Sequence, residues 1–71
     1  MKELTRNQAL VLKQIEWFIS EHSYSPTHSE LQKAMGFKSV NSIVEYLEAI
    51  ERKGHIKRTP KISRSIVVLQ A

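Results

Sequence analysis

The sequence predicts a small α+β domain that is mostly α, with three helices followed by a two-stranded C-terminal hairpin. Three observations predict it. Two capping boxes, Thr5-Arg6-Asn7-Gln8 and Thr27-His28-Ser29-Glu30, each open a stretch with helical apolar spacing. Ser39 can cap a third helix only a few residues after the second one ends at Gly36. Beyond Gly54 the period changes to β-prone segments. The 71 residues suffice for a single domain spanning 1–71. With no cysteine, neither a disulfide nor a thiolate metal site can support it, so stability must come from packing.

In the first helix, expected over 6–22, Val11, Leu12, Ile15, Phe18 and Ile19 form one stripe, with Leu4 and Ala9 at the staple positions. Trp17 lies off that stripe and is expected at a partly buried edge of the core. Pro26 disfavours helix at Ser25, and a second helix over 28–35 follows with Leu31, Ala34 and Met35 on one face. The third, over 40–53, carries Ile43, Tyr46, Leu47 and Ile50 and stops at Lys53-Gly54. Two helices joined by a short link containing Gly36 fit a helix-turn-helix. His55–Thr59 and Ser65–Leu69 are the expected strands of a hairpin over 55–69, with Pro60–Arg64 as its loop. Three helices plus such a hairpin make a winged helix-turn-helix, the loop being the wing.

Charge narrows the function classes. Eleven Lys and Arg stand against seven acids, a net of +4 with a pI near 9.7. From Arg52 to Arg64 six cations and no acid occur, a local positive patch of the kind that binds nucleic acid, or else a solvated basic surface. No apolar run approaches the roughly 20 residues of a membrane span, and no signal-type segment follows Met1, so a cytoplasmic chain without membrane contact is expected. His22, His28 and His55 lack metal-ligand spacing, there is no Asp, and the two glycines make no phosphate loop. Catalysis, metal and cofactor are therefore not expected.

On a helical wheel Leu47 and Ile50 lie within about 40° of Ile43, whereas Asn41, Glu45, Glu48 and Arg52 cluster opposite. The N-terminal part of the second helix of a helix-turn-helix reaches base edges in the major groove, which makes Ser39, Asn41, Ser42 and Glu45 candidates for reading sequence. Asn suits adenine, Glu accepts from cytosine N4, and Ser serves either way. Each has a plainer reading as well. Ser39 is expected to cap the helix in any case, Glu45 could be solvated surface, and Val44 could pack inward or touch a thymine methyl. Glu48 and Arg52 are spaced for a surface ion pair. Backbone contacts are expected from Thr27 and His28 at the second helix start, Lys38 before the third helix, Arg52 and Lys53 at its end, and Lys61 and Arg64 in the wing.

The motifs Leu4-Thr5 with Gln8, Pro26-Thr27 with Glu30, Gly36-Phe37-Lys38-Ser39 with Asn41, Leu47 with Ala49, Arg52-Lys53-Gly54 with Ile56, and Ser63-Arg64 with Ile66 resemble the N-terminal DNA-binding domain of the LexA repressor family. The resemblance runs without a gap from Met1 to about Leu69. It implies a bacterial or phage repressor of DNA-damage (SOS) genes that docks the helix beginning near Ser39 in the major groove and lays the wing on the backbone or minor groove. By similarity Ser39, Asn41 and Glu45 match base-reading positions of the family. Ser42 and Val44 depart, standing where a familiar member has Ala and Glu, and Thr59-Pro60-Lys61 replaces a glycine-containing turn. The operator is therefore expected to differ.

Full-length members resemble a two-part machine with a self-cleaving, dimerising C-terminal domain. This chain is expected to be either the DNA domain of such a repressor or a short free-standing relative, with weak or no self-association. The expected partner is double-stranded DNA, a palindromic operator filled by two copies. Two other readings compete: a winged helix used for protein contact through a surface near Trp17 or Tyr24, and non-specific nucleic-acid binding through the patch from Arg52 to Arg64.

Overall fold

The computed structural model describes residues 2–69; residues 1, 70 and 71, the ends of the expected 1–71 domain, lie outside the described residues. Local sequence sets each of the first two helix starts. Before α1 (Arg6–His22), the Gln8 N–H donates to Thr5 Oγ1 at 3.2 Å and the Thr5 N–H donates to Gln8 Oε1 at 3.0 Å. Before α2 (His28–Met35), the Glu30 N–H donates to Thr27 Oγ1 at 3.1 Å and the Thr27 N–H to Glu30 Oε1 at 2.8 Å. Each box satisfies two donors that a helix start would otherwise leave unpaired. The second helix stops at Gly36, φ 73°; nothing lies within 4 Å of where a Cβ would stand, so the positive φ alone asks for glycine.

The link to α3 (Val40–Arg52) is tied from both sides. The Phe37 N–H donates to the Gln32 carbonyl at 3.0 Å, a Schellman-type closure, and the Gln32 side-chain amide donates to the Phe37 carbonyl. Phe37 then stacks on Tyr46 with ring centroids 5.4 Å apart, which holds the turn against α3. α3 ends one residue short of the expected 53, with Lys53 as its cap and Gly54 at φ 88° reversing the chain.

Val11 and Ile15 of α1, Leu31 of α2, Ile43, Leu47 and Ile50 of α3, and Ile56 and Ile66 of the hairpin make the buried core. Burial of each large aliphatic side chain contributes about 1.5–3 kcal/mol. α3 supplies more of these residues than any other element and packs against α1, α2 and the first strand, so the core fixes its orientation while its opposite face stays free. Leu4, Leu12, Ile19, Met35 and Tyr46 pack partly buried around the core.

Four expectations are corrected. Trp17 is 53% exposed rather than at a buried edge, because it falls on the face of α1 directly away from Val11 and Ile15. Ala34 is exposed, only Leu31 of α2 being fully buried. Ser39 occupies the cap position of α3 but makes no side-chain cap bond; its Oγ lies 3.4 Å from Ser42 Oγ instead. The strands are two residues each, β1 (Ile56–Lys57) and β2 (Val67–Val68), antiparallel with Ile56 opposite Val68. The ladder stops there because the next inward-facing donor, the Thr59 N–H, goes to Ser65 Oγ at 3.1 Å instead of the facing backbone carbonyl, while the outward-facing Arg58 N–H is taken by Glu51 Oε2 at 3.0 Å.

Candidate nucleic-acid interface

On α3, Asn41, Glu45, Glu48 and Arg52 are all exposed, on the side opposite Ile43, Leu47 and Ile50. From Asn41 to Arg52 this polar stripe runs about 16 Å along the helix axis. Ser39 is exposed ahead of it, and Ser42 and Val44 flank it half-buried. Four of the five expected base readers therefore share the N-terminal half of α3, with Ser39 at its cap. Val40, 37% exposed in the first turn, stands with them. The sequence offered a signal for it, since a β-branched residue directly after a helix cap precedes the buried stripe that begins at Ile43. The expected Glu48–Arg52 pair is absent: among the described residues the ion pairs are Glu51–Arg58 and Glu30–Arg64.

Those two pairs anchor the wing. The segment between the strands is narrowed by Thr59 and Ser65, the Ser65 hydroxyl donating to the Thr59 carbonyl at 3.1 Å, and it turns with Lys61 at φ 65° and Arg64 at φ 55°. Left-handed backbone costs a non-glycine residue roughly 1–2 kcal/mol, so other contacts must hold these turns. Arg58 Nε donates to Glu51 Oε1 at 3.1 Å, fastening one limb of the wing to α3. Arg64 fastens the other limb to α2: Nη1 donates to Glu30 Oε1 at 2.9 Å and to the Ser25 carbonyl at 3.0 Å, and Nη2 donates to Glu30 Oε2 at 3.0 Å. An open cleft of about 810 Å³ remains between the start of α2, Glu48 and Glu51 of α3, and the wing.

This wiring separates the cations of the basic patch. Arg52, Lys57 and Lys61 are exposed. Lys53 donates through Nζ to Gln8 Oε1 at 2.6 Å, at the end of α3 far from Ser39, and Arg64 is held by Glu30. These two expected backbone contacts thus already have partners, for a reason no local spacing reveals: Gln8 is 45 residues and Glu30 is 34 residues away in sequence. Lys38 is exposed in the link. At the start of α2, burial first and Arg58 second push the His28 pKa below its ordinary value, so near neutral pH it offers a hydrogen bond rather than a charge. The hydrogen bond from Arg64, then that from the Thr27 N–H, holds the Glu30 carboxyl below the usual carboxylate range.

A three-helix unit with a two-stranded wing and a free polar stripe on its last helix is a winged helix-turn-helix domain. Comparison with known proteins names the branch. The sequence model of the LexA DNA binding domain matches residues 1–65, and the chain belongs to that family. It is similar to the LexA repressors of Pseudomonas aeruginosa (42% identical over 66 residues, 93% of this chain and 32% of that protein) and Tolumonas auensis (42% over 69 residues, 97% and 34%). That of Anaeromyxobacter dehalogenans is 38% identical over all 71 residues, 31% of its own length. The chain spans about a third of the length of these curated relatives. Among the described residues no helix is long and apolar enough to cross a membrane.

Proposed function

We propose that this chain is the operator-binding domain of a LexA-like transcriptional repressor of DNA-damage genes, acting on duplex DNA in a bacterial cytoplasm. The observation that carries the reading is the exposed stripe beginning at Asn41, set on a helix whose other side is locked into the core, in a chain of this family. A helix of this width fits the major groove, where Asn41 pairs with an adenine edge, Glu45 accepts from a cytosine amine, Ser39 and Ser42 serve as short donors or acceptors, and Val44 meets a thymine methyl. Thr27, His28, Lys38, Arg52 and Lys61 meet the phosphate backbone, which sets register and affinity but not sequence. The domain over 1–71 binds one half-site; a palindromic operator takes two copies, and tethering them raises the effective concentration of the second.

The test is an unbiased duplex selection at low and at physiological salt. An enriched palindromic motif is expected at both, with Lys61→Ala weakening all sequences alike and reducing the magnitude of the slope of log K against log salt by about 0.9. Steep salt dependence without an enriched motif would reduce the function to non-specific nucleic-acid binding.

A further inference from the structure

Arg64 belongs by charge to the basic patch, yet its contacts are all internal. Three of its N–H vectors are used on Glu30 and the Ser25 carbonyl, and its guanidinium carbon lies 4.5 Å from the centre of the Tyr24 ring, which covers one face. The end-on edge of the fork, Nη1 with Nη2, is filled by the Glu30 carboxylate, so the guanidinium is turned toward α2. Glu30 is itself fixed, since Oε1 also accepts the Thr27 N–H that closes the start of α2. The ion pair is over a third exposed and lies outside the apolar core, so it adds little to folding. It joins the wing to α2 where residues 61 and 64 turn through left-handed backbone, the strands behind them pair over only two residues each, and the other limb has its own anchor in Glu51.

We infer that Arg64 is a positioning residue: through Glu30, Ser25 and Tyr24 it holds the wing at a set angle to α2, so that Lys61 and its neighbours meet the DNA backbone when α3 is in the major groove. This rests on the DNA-binding reading above. A wing held in place loses less freedom on binding than a swinging one, so the pair raises affinity without touching DNA.

Glu30→Gln separates the two roles, because Gln keeps the acceptor of the capping box and removes the charge that orients Arg64. The readout is the ratio of affinities for a flanked half-site and for the same half-site cut back on the wing side, at physiological salt; the mere loss of a negative charge acts on both duplexes and cancels. The ratio is expected to fall about three- to tenfold in Glu30→Gln and in Arg64→Gln, and no further in the double variant. Arg64→Lys keeps a charge that could meet a phosphate but loses the fork, and it is expected to fall likewise. Circular dichroism at the binding temperature confirms that each variant is folded. A ratio that rises in Glu30→Gln, or is unchanged in Arg64→Lys, would overturn the inference in favour of a direct phosphate contact. A ratio of one in the parent would overturn it as well, since the wing would then add nothing. No binding of the parent to either duplex would overturn the DNA reading and this inference together.

Discussion

The starts of α2 and α3 lie a dozen residues apart and both carry a hydroxyl at the cap position, but they are finished differently. Thr27 is followed at the third position by Glu30, long enough to reach back, and the two close a box at 2.8 and 3.1 Å. Ser39 is followed at that position by Ser42, whose hydroxyl stops at 3.4 Å from that of Ser39 and leaves the first turn of α3 without a side-chain cap. The first start is completed within the protein and contributes to folding; the second leaves its first-turn donors without a side-chain partner and Ser39 exposed. Within one helix-turn-helix, the same residue class thus closes a side-chain cap at one helix end and leaves it open at the other, and the third helical residue decides which.

Asn41→Ala tests the open end and has the largest expected effect: about 1–3 kcal/mol lost on operator DNA, with relaxed preference at one base pair and an unchanged melting temperature. A loss of the same size on scrambled duplex would mean that Asn41 does not read bases. Thr27→Ala tests the closed end, with an expected loss of about 1 kcal/mol in urea unfolding. Ser39→Ala makes the contrast sharpest, since without a cap bond to lose it is expected to change stability by only a few tenths of a kcal/mol while weakening operator binding. Equal destabilisation by the two substitutions would erase the distinction between the ends.

The smallest effect concerns pH. Because Glu30 is held below its ordinary pKa, the folded state binds its proton less readily than the unfolded state does. Its contribution to stability is therefore fully present above the ordinary value of 4.5 and is lost as pH falls from there through the lower folded value. The stability difference between the parent and Glu30→Gln, read by thermal melts across acid pH, is expected to be flat above about pH 6 and to shrink below it. A difference that grows on acidification would mean that folding raises the Glu30 carboxyl instead of lowering it.

Much of this was legible in the chain. The two boxes at Thr5 and Thr27, the stop at Gly36, and the stripe of Ile43, Leu47 and Ile50 all follow from contacts three to five residues apart, and a capping bond or a helical face depends on little else. The outward placement of Asn41 and Glu45 followed from the same wheel, because burying one face of α3 leaves the other free. Trp17 shows where that reasoning is weakest: the wheel placed it off the stripe, but only the packed helices show that it stays half exposed, with His22 of its own helix edge-on to its ring.

Sequence by itself therefore determined the three helices, their starts and the face of α3 that stays in solvent, because each depends on neighbours within about one turn of the chain. Tertiary structure alone decided the wing. Its ladder is cut short by Ser65, its Arg58 limb is tied to Glu51, its cations are divided between Arg64, held by Glu30, and Lys61, left exposed, and Lys53 is withdrawn to Gln8. Those side chains meet across 6 to 45 residues of sequence, where no period or spacing records which partner will be near. Which charges are spent on the fold and which remain exposed is settled only when the helices have packed.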